Sequence, residues 1–157
     1  MRVFVVDDSD IVRERLATML SELTEKIELI GQAQDPLEAT ESIRKLKPDL
    51  VILDIRLRGG SGIDVLREIK KDEPAPIVMI LTNYPYPQYR KKCKNAGADF
   101  FFDKSTEFDK ASEVVQQLIQ DPQFRDSESA PIGAEQRLSL PKETSRKGRS
   151  TKRKNVD

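Results

Sequence analysis

The chain has 157 residues, 37% hydrophobic and 34% charged, which is enough for one compact domain with some excess and a heavily charged surface. No run approaches the ~20 apolar residues of a membrane span, and no signal-peptide pattern opens the chain, so a cytoplasmic location is expected. The single cysteine, Cys93, excludes an internal disulfide and a cysteine zinc cage, and the absence of histidine excludes histidine triads and any phosphohistidine on this chain.

Arg2 to Val6 is an apolar run ending on the carboxylates Asp7 and Asp8. Ser9 and Asp10 are N-cap residues, and Val12, Leu16, Met19, Leu20 and Leu23 then recur at helical spacing to about Glu25. Ile27 to Ala33 reads as a second strand. Asp35, Pro36 and Glu38 form a helix start, with an inner stripe of Ala39, Ile43 and Leu46, and Pro48 ends that helix.

Leu50 to Leu53 is a continuous apolar run bounded by Pro48 and by glycines, the pattern of a central parallel strand covered on both faces. It ends on Asp54, a residue that packing alone does not call for, and then opens into a glycine-containing loop. Gly62 to about Asp72 reads as a helix, and Ile77 to Leu81 as a strand ending on Thr82. Two close prolines make Tyr84 to Pro87 a loop. A helix carrying Tyr89 and Cys93 stops at Gly97, and a fifth run, Phe100 to Phe102, leads through Asp103 to Lys104. Phe108, Ala111, Val115, Leu118 and Ile119 mark the last helix, closed by Pro122.

The alternation of strand and helix predicts an α/β domain with a parallel sheet and helices on both faces. Residues 1–122 form the expected domain. Residues 123–157 are a polar tail, expected to be mobile from about 125 because they offer too little apolar surface to offset ordering. Residues 140–157 carry seven basic and two acidic side chains, against 18 basic and 21 acidic in residues 1–120.

In a parallel sheet the ends at Asp7-Asp8, Asp54, Thr82 and Lys104 meet at one rim, where ligands bind in open α/β folds. Clustered carboxylates repel, and Mg²⁺, a hard ion that keeps several waters, relieves that repulsion and leaves a place for a phosphate oxygen. Each residue alone has a plainer reading: Asp7 or Asp8 as a helix cap, Thr82 as a strand end, Lys104 as a surface lysine, Phe101 as core. Their joint occurrence favours a phosphoryl site.

Val5-Val6-Asp7-Asp8, Leu53-Asp54, Gly62, Leu81-Thr82, Ala96-Gly97-Ala98 and Phe101-Phe102-Asp103-Lys104 together resemble the receiver domain of two-component response regulators over about residues 1–120. The resemblance implies a flavodoxin-like, doubly wound (βα)5 fold with strand order 2-1-3-4-5. It implies Asp54 as phosphoacceptor, and Asp8, Asp54 and the backbone carbonyl of Arg56 as ligands of Mg²⁺, with Asp7 acting through a bound water. Lys104 would pair with the phosphoryl oxygens, and Thr82 and Phe101 would form the switch. It further implies a histidine kinase or phosphotransfer protein as donor and a downstream protein as target. The only chemistry implied is Mg²⁺-dependent self-phosphorylation and self-dephosphorylation. The switched face is formed by the fourth helix, fifth strand and fifth helix. Its charges, Arg90, Lys91, Lys92 and Lys94 beside Asp99, Asp103 and Asp109, would suit a phosphorylation-dependent homodimer.

The chain departs from the family at several positions. Ser105 stands where a proline after a cis bond is usual, leaving the bond either trans or strained. Asn83 follows Thr82, where a small residue is usual, and is expected to crowd access to Asp54; Leu57-Arg58 replaces Met-Pro. Arg56 and Tyr84, both bulky, flank the expected path of the hydrolytic water, which predicts a long-lived aspartyl phosphate. No output domain is visible, so the reading is a stand-alone receiver or one cut from a longer protein. Two other classes compete. One is nucleic-acid binding through the basic run from Arg146 to Lys154. The other is a Mg²⁺-dependent phosphatase, opposed by Arg56 where an acid/base carboxylate is needed.

Overall fold

The computed structural model describes residues 1–121, 123 and 136–138. The basic stretch from Arg146 to Lys154 lies outside the described residues. In chain order the elements are β1 (Arg2–Val6), α1 (Asp10–Leu23), β2 (Glu28–Ala33), α2 (Pro36–Leu46), β3 (Leu50–Leu53), α3 (Gly62–Ile69), β4 (Ile77–Thr82), α4 (Pro87–Asn95), β5 (Phe100–Asp103) and α5 (Phe108–Gln120). The five strands form one sheet, all neighbours parallel, in the order β2-β1-β3-β4-β5. This is the flavodoxin-like order expected from the resemblance, with β3 at the centre.

Alternate residues of each strand enter opposite cores. Phe4, Val6, Val51, Leu53, Val78, Ile80 and Phe101 pack with residues of α2, α3 and α4. Val3, Val5, Leu50, Ile52, Met79, Leu81, Phe100 and Phe102 pack with α1 and α5. Burial on both faces explains why the strands read as unbroken apolar runs. Helix starts follow the sequence signals. The Ser9 hydroxyl accepts from the Val12 amide, and the Asp35 carboxylate from the Glu38 amide. Pro36 occupies the first turn of α2.

Three local expectations change. The helix from Gly62 ends at Ile69 rather than near Asp72, because the next amides bond three residues back, Lys71 to Glu68 and Asp72 to Ile69. The segment after Asp54 is not open loop. Arg56–Leu57 pairs with Gly60–Ser61 in a short antiparallel hairpin whose turn holds Gly59 at φ +79°. Finally, within the stretch expected to be mobile, Gln136, Arg137 and Leu138 are buried against β5. An edge strand offers backbone groups for pairing, and here the Phe101 amide donates to Gln136 O while the Leu138 amide donates to Asp99 O. No helix among the described residues is long and apolar enough to cross a membrane.

Candidate functional site

The site lies at the carboxyl rim of β1, β3, β4 and β5. Asp7 and Asp54 directly follow β1 and β3, where the main chain is fixed by the bonds Asp7 N to Ala33 O and Asp54 N to Val6 O, 3.1 and 3.0 Å. Lys104 directly follows β5 and is held by its amide to Thr82 O at 2.7 Å. Its ammonium group donates to Asp7 Oδ2 at 2.6 Å and to Asp54 Oδ2 at 2.8 Å. All three side chains are buried, while Asp8 is exposed. One carboxylate oxygen from each of Asp7, Asp8 and Asp54 falls within 4.8 Å of the others. The remaining oxygens are oriented locally: Asp7 Oδ1 accepts from the Ser9 amide and Asp54 Oδ1 from the Ile55 amide, at 2.9 and 2.7 Å.

Burial sets the electrostatics. Loss of water pushes the Asp54 carboxyl above the ordinary carboxylate range, and the charge of Asp7 adds to this. Lys104 and the Thr82 hydroxyl work the other way but do not cancel it. Burial also works against the Lys104 ammonium, yet Asp54 and Asp7 outweigh it and hold the lysine more firmly protonated. A hard divalent cation suits this all-oxygen, carboxylate-rich cluster, and the three aspartates are spaced for joint ligation.

Gly62 packs directly beneath the nucleophile candidate. Its amide donates to Ile55 O at 2.5 Å, and a Cβ there would lie 1.8 Å from the backbone oxygen of Asp54. Thr82 is fully buried at the end of β4, its hydroxyl accepting from the Tyr84 amide at 3.1 Å. Phe101 is buried beneath the Arg90 guanidinium, 5.4 Å from the ring centroid. Arg56 lies 4.1 Å over the Tyr84 ring, so the two bulky residues expected to flank the site form one stacked pair.

A model of the response regulator receiver domain matches residues 3–123. The chain belongs to the response regulator receiver family. A protein-glutamate methylesterase/protein-glutamine glutaminase of Vibrio vulnificus is 31% identical over 88% of this chain. The uncharacterized transcriptional regulatory protein YvfU of Bacillus subtilis is 32% identical over 76% of it. The chain spans 40% of the length of the first and 59% of the second. The response regulator domain of Thermotoga maritima CheB superposes with a TM-score of 0.65 at 28% identity, covering 76% of this chain and 94% of that one. The signal receiver domain of NarL from Mycobacterium tuberculosis gives 0.67 at 26% identity, covering 76% and 96%.

The structure decides several details that the sequence left open or read otherwise. Among the described residues the cis peptide is Glu73–Pro74, so the Lys104–Ser105 bond is trans. The turn is instead closed by the Asp103 carboxylate, which accepts from the Ser105 amide and hydroxyl at 2.9 and 2.7 Å. Asn83 is exposed. Asp99 does not belong to the charged face: it is buried, accepting from the Val78 amide and the Lys70 ammonium, both at 2.9 Å. Glu107 belongs to no motif that would mark it in the sequence. Its Oε1 accepts from the Asp103 amide and its Oε2 from Gln136 Nε2, tying the Lys104 turn to the C-terminal segment.

Proposed function

We propose that Asp54 is the phosphoacceptor of this receiver and that its modification switches the α4–β5–α5 face. The observation that carries the reading is the clasp of Lys104 on Asp7 and Asp54, at 2.6 and 2.8 Å, beside the exposed carboxylate of Asp8. In the reaction an ionised Asp54 oxygen attacks the phosphorus of a donor. A P–O bond forms as the bond to the donor's leaving group breaks, and that group departs with the bonding pair. Lys104 already stands 2.8 Å from Asp54, so its ammonium passes from the carboxylate to the incoming phosphoryl oxygens and offsets developing charge.

Asp8, Asp54 and the Arg56 carbonyl would hold Mg²⁺, with Asp7 behind a bound water; when bound, the ion neutralises phosphoryl charge. Thr82 would donate to the phosphoryl group and Phe101 would follow. The phosphoryl group carries ~1.5–2 negative charges and three acceptor oxygens in place of the single carboxylate charge of Asp54, and this change drives the rearrangement.

The donor is a histidine kinase or phosphotransfer protein. Ile11 and Leu37 lie in the first turns of α1 and α2 and are 77% and 69% exposed, which suits an apolar contact with such a donor. The target is a protein, or a second copy of the chain, seated on the α4–β5–α5 face. A phosphatase reading is disfavoured by Arg56, which places a stacked guanidinium where an acid/base carboxylate is needed.

The test is intact mass after incubation with acetyl phosphate and Mg²⁺. The native protein gains one phosphoryl group, and Asp54→Asn and metal-free samples do not. Equal mass gain in Asp54→Asn would refute the assignment, and turnover of a phosphoester substrate would favour the phosphatase.

A further inference from the structure

We propose that Gln136–Leu138 is a resident strand of the α4–β5–α5 face, held there while Asp54 is unmodified and expelled when Asp54 carries a phosphoryl group. The proposal rests on the phosphoacceptor reading above. β5 is an edge strand of the sheet. Arg137 pairs antiparallel with Phe100, the Phe101 amide donates to Gln136 O at 2.9 Å, and the Leu138 amide donates to Asp99 O at 2.8 Å. This is strand addition to an open edge, with main-chain bonds giving affinity and alternate side chains giving specificity. Leu138 is buried in the same core cluster as Phe101, Ala98 and Cys93. The occupant is therefore built into the chain, and any protein that seats on the β5 edge must displace it.

Two contacts couple the segment to the site. The first is Phe101, whose amide binds the segment and whose side chain is the aromatic half of the switch. The second is Glu107. Its carboxylate receives Gln136 Nε2 at 2.7 Å and the Asp103 amide at 2.9 Å, and its own amide donates to Asp103 O at 2.8 Å. Asp103 precedes Lys104, which clasps Asp54. The segment thus fits the positions that Phe101 and the Lys104 turn take with Asp54 unmodified. A shift at either point costs it main-chain or Glu107 contacts, and reciprocity requires that its removal favour the shifted state.

The experiment is residue-resolved hydrogen exchange on the full chain, with intact mass read on the same samples. Leu138→Pro removes the donor to Asp99 O, and Leu138→Asp keeps the amide but removes the apolar anchor. In unmodified protein both variants are expected to raise Phe101 amide exchange by about tenfold, the order of one lost backbone hydrogen bond. Acetyl phosphate and Mg²⁺ are expected to raise native Phe101 exchange in proportion to the phosphorylated fraction, with no change in Asp54→Asn. Equal Phe101 exchange in native protein and both variants overturns residence on the edge. Undiminished protection in a sample whose mass shows the phosphoryl group overturns expulsion. A sample that never gains the phosphoryl group overturns the phosphoacceptor reading and expulsion with it, while the two Leu138 variants still decide residence.

Discussion

Replacing Gly62 by alanine perturbs the site through the backbone alone. The new Cβ would lie 1.8 Å from the Asp54 backbone oxygen, 2.9 Å from its carbonyl carbon and 3.2 Å from Ile55 Cα. An ordinary C···O approach is about 3.3 Å, so roughly 1.5 Å of overlap must be relieved. The obstacle is backbone, with no flexible side-chain end to yield. Overpacking of this kind costs about 1–3 kcal/mol. The carbonyl that must move belongs to Asp54 itself, and displacement of a reacting group by about 1 Å costs about 100-fold in rate. The control is Gly59→Ala. At φ +79°, with nothing within 4 Å of its Cβ position, it meets only the left-handed backbone cost, about 1–2 kcal/mol. The assays are urea denaturation and the rate of mass gain from acetyl phosphate with Mg²⁺. Gly62→Ala should lose both stability and rate, and Gly59→Ala stability only. Equal phosphorylation rates in the two variants would refute the claim that Gly62 positions the acceptor.

Lys104→Met leaves Asp7 and Asp54 buried without their shared cation and should destabilise the metal-free protein by about 3–5 kcal/mol. Burial already raises the Asp54 carboxyl, and losing Lys104 raises it further. The folded state of the variant then binds more protons than the unfolded state, so its stability should rise as pH is lowered from neutral toward the unfolded carboxylate value. A pH-independent deficit in urea titrations would contradict this. Arg56→Ala combined with Tyr84→Ala removes the stacked pair at the rim and should shorten the aspartyl phosphate lifetime severalfold; unchanged decay of the phosphorylated mass would defeat the idea that the pair slows hydrolysis. Burial pushes the Cys93 thiol up to about 12, so it should resist alkylation at pH 8 in the native protein and react fully in urea, and native-state alkylation at the unfolded rate would show that the core opens there.

The fold was legible in the sequence because four of the five strands, β1, β3, β4 and β5, are buried along nearly their whole length. Continuous runs such as Leu50–Leu53 and Ile77–Leu81 carry that signature, and caps such as Asp35 with Pro36 mark the helix starts. The gathering of Asp7, Asp54, Thr82 and Lys104 was legible for a topological reason: parallel strands bring their carboxyl ends to one rim. Tertiary structure decided what depends on partners remote in the chain. It buried Asp7 and left Asp8 exposed, drew Asp99 inward to Lys70 and Val78, and closed the Lys104 turn through Asp103 and Ser105 without a cis bond. It also placed Gln136–Leu138 on the sheet. Composition averages over a polar stretch and marks it as unable to form a core of its own. Three of its residues need none, because the Phe101 amide, the Asp99 carbonyl and an apolar seat for Leu138 at the sheet edge supply their partners.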